Sequence, residues 1–196
     1  MNEHIAYLAG FFCLRGKVVW DKAAGNYTMG LQTKDREMAL LLAGRIKAAF
    51  GEPRVYEKDG LYVVVFHGKE EVKQLLGMAG SSGFGEYDWS VPSGLIEDMW
   101  FGKAFLQGAF DAGGNIRIEK RTGGKRRDIR INSVNKAGLL SLKQMLSTFG
   151  IGANVYKTGR AFCLSIEGKT RCNLFMQKIG FAHPNKIEKM KGVLGF

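Results

Sequence analysis

Phe105-Leu106-Gln107-Gly108-Ala109-Phe110-Asp111-Ala112-Gly113-Gly114-Asn115-Ile116 is an apolar helical pattern that runs directly into a strand, and the chain contains that pattern twice. The first copy is Tyr7-Leu8-Ala9-Gly10-Phe11-Phe12-Cys13-Leu14-Arg15-Gly16-Lys17-Val18. Small residues recur along one face of each helix, at Ala104, Gly108 and Ala112 in one copy and at Ala6 and Gly10 in the other. A stripe without bulky side chains lets a second helix approach closely. Two such stripes in one chain predict that the two helices pack against each other.

The duplication extends well beyond the motif. Gly16 answers Gly114, Phe50-Gly51 answers Phe149-Gly150, Val55-Tyr56 answers Val155-Tyr156, and Gly68-Lys69 answers Gly168-Lys169. A near-constant offset over most of the chain argues internal repetition. Each repeat reads αββαββα. In the first, a helix over 4–14 precedes strands at 17–20 and 27–32, a helix over 34–50, a hairpin at 54–58 and 61–66 turning on Asp59-Gly60, and a helix over 69–76. In the second, a motif helix over 95–112 precedes strands at 115–120 and 128–134 joined by a loop at 121–125. A helix over 136–149, strands at 153–157 and 161–166 and a helix over 170–179 complete it. A last helix beginning at His183-Pro184 has no counterpart in the first half. The resulting organisation is repeat 1 over 1–79, a Gly- and Ser-rich linker over 80–94, and repeat 2 with its extra helix over 95–196. The fold class is α+β, each repeat a four-stranded antiparallel sheet with helices on one face only, the pair related by a pseudo-twofold axis.

Charge narrows the function. The 196 residues carry a formal net charge of +11, but residues 1–98 hold 11 basic and 13 acidic side chains while residues 99–196 hold 18 and 5. Virtually all of the positive field belongs to repeat 2, which points to a polyanion, above all nucleic acid. Cys13, Cys163 and Cys172 form no Cys-x-x-Cys pair and no even framework, so neither structural disulfides nor a zinc site is expected. That usage suggests a reducing, intracellular setting, cytoplasmic or nucleoid, and no segment reads as a membrane span.

The motif helices, the duplication and the C-terminal helix resemble the LAGLIDADG homing endonucleases in their single-chain, two-repeat form. The resemblance implies a saddle of two sheets astride the DNA major groove, with an acidic residue at the foot of each motif helix for divalent metal. At those positions this chain has Arg15 and Gly113, so the catalytic pair is absent. The other motif acid survives only as Asp111, its counterpart being Cys13, and in the family that position serves helix-end packing more than metal binding. No metal or other cofactor is expected, Mg2+ entering only if displaced ligands keep an endonuclease active.

For binding, alternation places Asn115, Arg117, Glu119 and Arg121 on one face of a strand and Asp128, Arg130 and Asn132 on the same face of its partner. Arg suits guanine and Asn suits adenine in the major groove, so the array can read sequence. The competing reading is a salt-bridged surface in which Arg117, Glu119, Asp128 and Arg130 satisfy one another. Lys125, Arg126 and Arg127 belong to a basic segment expected as a phosphate-gripping loop, with Lys157 extending the contact and Lys17 and Gln32 contributing from repeat 1. The expected protein is a monomeric binder of duplex DNA that no longer cleaves. Structured RNA with an intron-maturase role, an endonuclease with displaced ligands, and a scaffold holding a protein partner through repeat 1 remain open beside it.

Overall fold

Asn2 starts helix α1 (Glu3–Arg15) by accepting the His4 N–H at 2.8 Å. Gly16 ends it and turns the chain into strand β1 (Gly16–Asp21). Strand β2 (Asn26–Thr33) returns antiparallel, followed by α2 (Arg36–Ala49), the hairpin β3 (Arg54–Lys58) and β4 (Leu61–His67), and α3 (Lys69–Ala79). After the short α4 (Ser93–Glu97), the same order recurs as α5 (Met99–Gly113), β5 (Gly114–Arg121), β6 (Gly124–Ser133), α6 (Lys136–Thr148), β7 (Asn154–Thr158), β8 (Ala161–Glu167) and α7 (Lys169–Lys178). Helix α8 (Pro184–Leu194) closes the chain. This computed structural model describes residues 2–21, 25–81, 88–121 and 124–194.

The two sheets have orders β1-β2-β4-β3 and β5-β6-β8-β7, with every pair antiparallel. In each, alternate residues form the core beneath the helices: Met29, Leu31, Val64 and Phe66 in the first, Ile129, Ile131, Leu164 and Ile166 in the second. Among the described residues, the opposite faces carry no helix layer. Asp59 and Gly60 both take positive φ (52° and 70°), as a two-residue hairpin with native twist requires.

Helices α1 and α5 join the repeats, and the glycines set how closely. A Cβ on Gly10 would lie 2.0 Å from the Phe105 carbonyl oxygen, and one on Gly108 would lie 1.9 Å from the Tyr7 carbonyl oxygen. Ordinary contact needs roughly 3.5 Å, so each glycine admits the backbone of the other helix where no side chain fits. Ala6 is fully buried, and Ala104 and Ala112 are half-buried against the same core.

The structure departs from the sequence expectations in four places. The motif helix of repeat 2 begins at Met99 rather than Leu95, because the Asp98 carboxylate accepts the Trp100 and Phe101 N–H groups, both at 2.9 Å, and caps a new helix. The linker is packed at its far end: Trp89 and Val91 are buried, Asn135 Nδ2 donates to the Trp89 carbonyl at 2.7 Å, and the Val91 N–H donates to Ser141 Oγ at 3.2 Å. Its residues 82–87, like 22–24 of the first turn, lie outside the described residues. The loop expected at 121–125 is mostly ladder, since Arg121 pairs with Gly124 and Lys120 with Lys125. Ile118, expected inside, is 45% exposed on its edge strand.

Replacing Gly10 or Gly108 with Ala is expected to lower stability by about 1–3 kcal/mol through forced separation of the helices. Gly44→Ala, where a Cβ meets nothing within 4 Å, should be neutral or stabilising by up to about 1 kcal/mol. Urea unfolding midpoints of the three variants decide the point; equal losses at all three positions would contradict it.

Candidate nucleic-acid interface

Strand register settles which side chains share the open faces. In repeat 2, Asn115 lies opposite Arg130, which lies opposite Ser165, which lies opposite Asn154. Arg117, Asp128 and Glu167 make the next row, Glu119 and Arg126 the one after, and Asn132 sits with Cys163 and Tyr156 on the other side. The corresponding rows of repeat 1 are Lys17, Gly30, Val65 and Arg54, then Val19, Thr28 and His67, then Gln32, Val63 and Tyr56. Thr28 Oγ1 and His67 Nδ1 are 2.9 Å apart and satisfy each other. The same architecture thus displays paired arginines and carboxylates in one copy, and in the other Lys17, Arg54 and neutral polar groups interspersed with Gly30, Val63 and Val65.

The charged copy is internally bonded. Asp128 stands on the open face yet is only 2% exposed, because Arg130 Nη2 donates to its Oδ2 at 2.7 Å and Arg126 Nε approaches the same oxygen at 3.4 Å. Arg126 also pairs with Glu167 at 2.9 Å, and Arg117 with Glu119 at 3.6 Å. Burial works against the Arg130 charge, but the hydrogen bond and charge of Asp128 outweigh it and hold the guanidinium above its ordinary pKa. The salt-bridged reading is therefore present in part, around Asp128, while Asn115, Arg117 and Asn132 remain exposed. Three arginines thus meet three carboxylates, Asp128, Glu119 and Glu167, and the pairing holds the arginine forks in place.

Two expected contacts belong elsewhere. Arg127 lies on the helix side of β6, where its Nε donates to the Val193 carbonyl at 2.7 Å and ties α8 to the sheet. Lys157 pairs in register with Phe162, next to the core rows of Leu164 and Ile166, so it stands on the helix side of edge strand β7 rather than the open face. Arg127 is expected in a loop and Lys157 as an extension of its contact, so neither is placed by strand alternation; the ladder puts both on the helix side. Arg121 and Lys125 pair in the strands, and their side chains lie outside those described.

At the helix feet, Arg15 is exposed and its Nε donates to the Ala112 carbonyl at 3.4 Å, across the junction of the repeats. Asp111 points inward and is 3% exposed. Its Oδ2 accepts the Tyr7 hydroxyl at 2.7 Å and the Ala182 N–H at 3.0 Å, and its Oδ1 accepts the His183 N–H at 3.2 Å. Burial pushes its carboxyl up, these donors and Lys186 opposing the shift. Lys186 Nζ donates to the Phe110 and Asp111 carbonyls at 2.8 and 2.6 Å, neutralising the C-terminal end of α5. Burial, opposed by Asp111 and reinforced by Arg15 and Lys189, pushes the Lys186 ammonium down to about 8. From α8, Asn185 donates to Asp35, the N-cap of α2, and His183 Nε2 lies 3.7 Å from the same carboxylate. Tyr7, Asp35 and Lys186 carried no sequence signal as a group, because Tyr7 and Asp111 are 104 residues apart. Between the sheets, beneath these feet, runs an open groove of about 1240 Å³ whose lining includes Arg15, Lys17, Gln32, Asn115, Asn132 and Lys186.

Comparison with known proteins places this arrangement. The LAGLIDADG-like domain matches residues 100–180, and the WhiA LAGLIDADG-like domain matches residues 4–83. The fold is that of I-DmoI, solved with DNA and Mn, at a TM-score of 0.67 and 17% identity over 92% of this chain and 98% of that one. The N-terminal LAGLIDADG domain of WhiA superimposes at 0.64 with 16% identity over 96% of this chain and 86% of that one. This chain belongs to the LAGLIDADG family. Among curated relatives, a probable cell division protein WhiA of Clostridium botulinum is 21% identical over 95% of this chain and 61% of its own length. A glutamine–fructose-6-phosphate aminotransferase of Methanocaldococcus jannaschii is 27% identical over 78% of this chain but only 13% of its own length. The chain thus spans less than two thirds of either relative.

Lys186 gives the site a pH signature. The folded chain releases this proton near pH 8, whereas the ordinary value is 10.5, so the unfolded state binds more protons between those values and stability rises with pH there. The wild type should therefore gain stability relative to Lys186→Met between pH 7 and pH 10. A pH-independent difference in urea midpoint would contradict it.

Proposed function

We propose that the chain binds duplex DNA along its two open sheet faces and does not cut it. The observation that carries this reading is the open face of repeat 2. There Arg117, Arg126 and Arg130, with Asn115 and Asn132, stand on one helix-free surface, the arginines partly fixed by carboxylates. Groups of this kind read major-groove edges, while the excess of Lys and Arg over residues 99–196 suits phosphates. The fold shared with I-DmoI, a protein solved on DNA, supports the duplex as ligand. A-form RNA supports it less, because its major groove is too narrow for side chains to read.

The residues at the helix feet do not fit a divalent ion. Arg15 supplies a permanent cation, Gly113 supplies no donor, and the Asp111 carboxylate is taken up by three protein donors. Among the described residues, no cluster of three His, Cys, Asp or Glu side chains could hold a metal. We read the protein as one that grips and leaves the phosphodiester intact.

Fluorescence anisotropy with a mixed-sequence 30-base-pair duplex should show binding that weakens linearly in log Kd against log salt concentration, by roughly 0.9 per phosphate contacted. Arg117→Ala should weaken binding severalfold, and incubation with Mg2+ or Mn2+ should leave the duplex uncut. Divalent-dependent cleavage, or structured RNA outcompeting the duplex, would overturn the assignment.

A further inference from the structure

We propose that Arg15 makes a phosphodiester-binding site at the floor of the groove between the two sheets, where it holds one backbone phosphate without a metal ion. The inference rests on the duplex-binding reading and names a contact on the inter-repeat axis that the sheet faces do not include. Arg15 is exposed, ends α1 and lines the groove. Of its guanidinium nitrogens, only Nε is engaged among the described residues, in a long 3.4 Å bond to the Ala112 carbonyl. Among the described residues neither Nη group has a partner, and a guanidinium fork of this kind matches two phosphate oxygens.

The surroundings favour an anion at this point despite the helix dipoles. The C-terminal ends of α1 and α5 meet here and would repel a phosphate. Lys186 answers that repulsion by donating to the last carbonyls of α5 at 2.6 and 2.8 Å, close enough to Arg15 to feel its charge. Asp111, which also lines the groove, is 3% exposed and its carboxylate is occupied by Tyr7 and two backbone N–H groups. Lys17, the first outward residue of β1, continues the positive lining onto the sheet. Its pseudosymmetric counterpart is Asn115 and the counterpart of Arg15 is Gly113, so the site is one-sided. One strand of a duplex would be held at the axis and the other would not.

Salt titrations on the same 30-base-pair duplex in EDTA test the idea. Arg15→Ala should lower the slope of log Kd against log salt by roughly 0.9, the value for one lost phosphate, and Arg15→Lys should restore it. Adding Mg2+ should not substitute for the arginine in the Ala variant. Arg117→Ala serves as the reference for a contact outside the groove, and thermal unfolding of each variant checks that the fold is intact. If the wild type binds the duplex and Arg15→Ala leaves the slope unchanged, the axial site is overturned while the duplex-binding reading stands. If the wild type does not bind the duplex at all, both fall.

Discussion

Everything in this molecule depends on how closely two helices can approach. Gly10 faces the backbone of α5 and Gly108 faces the backbone of α1, each across a gap that a single methyl group would overfill. That contact fixes the distance between the two sheets and the width of the groove beneath the helix feet. It also converts two half-units, each with a bare sheet face, into one extended concave surface. Two Cβ atoms are missing from the chain, and the geometry of the whole binding face follows from their absence.

Symmetry of the backbone is not matched by symmetry of the chemistry. The helix-end position occupied by Asp111 in repeat 2 is Cys13 in repeat 1, where the thiol sits 3.8 Å from the Ala79 carbonyl and burial pushes its pKa well up. A carboxylate can gather several donors, and Asp111 does, collecting Tyr7 from the opposite repeat and the backbone of residues 182 and 183. A thiol serves only the end of its own repeat. The segment leading into α8 fastens its repeat to the other, through Asn185 and His183 at the cap of α2. The acid at the end of this motif helix is a structural clasp, its two oxygens taken up by three protein donors.

The repeat pattern, the element order and the glycine stripe were legible in the sequence because each depends on local periodicity or on two stretches compared directly. Element ends were less so, where a side chain decides the boundary: the Asp98 cap split the expected motif helix. At the site, the reading of Asn115, Arg117, Arg130 and Asn132 as one face survived because both strands alternate regularly. Lys157 and Arg127 did not survive, because both are read as phosphate contacts around a loop, whereas Arg127 lies in β6 on the parity of Ile129 and Ile131 and Lys157 lies in register with Phe162 on the helix side. The Tyr7–Asp111–Lys186 assembly was invisible for the same reason, being drawn from three elements that meet only in three dimensions.

The burial of Asp128 shows why the basic half of the chain need not be a loose electrostatic patch. Free arginines on a sheet lose side-chain entropy when they bind. Here Arg130 is already held by a short bond to a carboxylate that water barely reaches, and Arg126 is held between that carboxylate and Glu167. Much of the ordering has been completed by folding, so less remains to oppose association. The carboxylates lower the net charge of the face, which weakens its attraction to any polyanion in general. They do so while fixing where the remaining donors point, and a surface of that kind favours discrimination between ligands over sheer attraction.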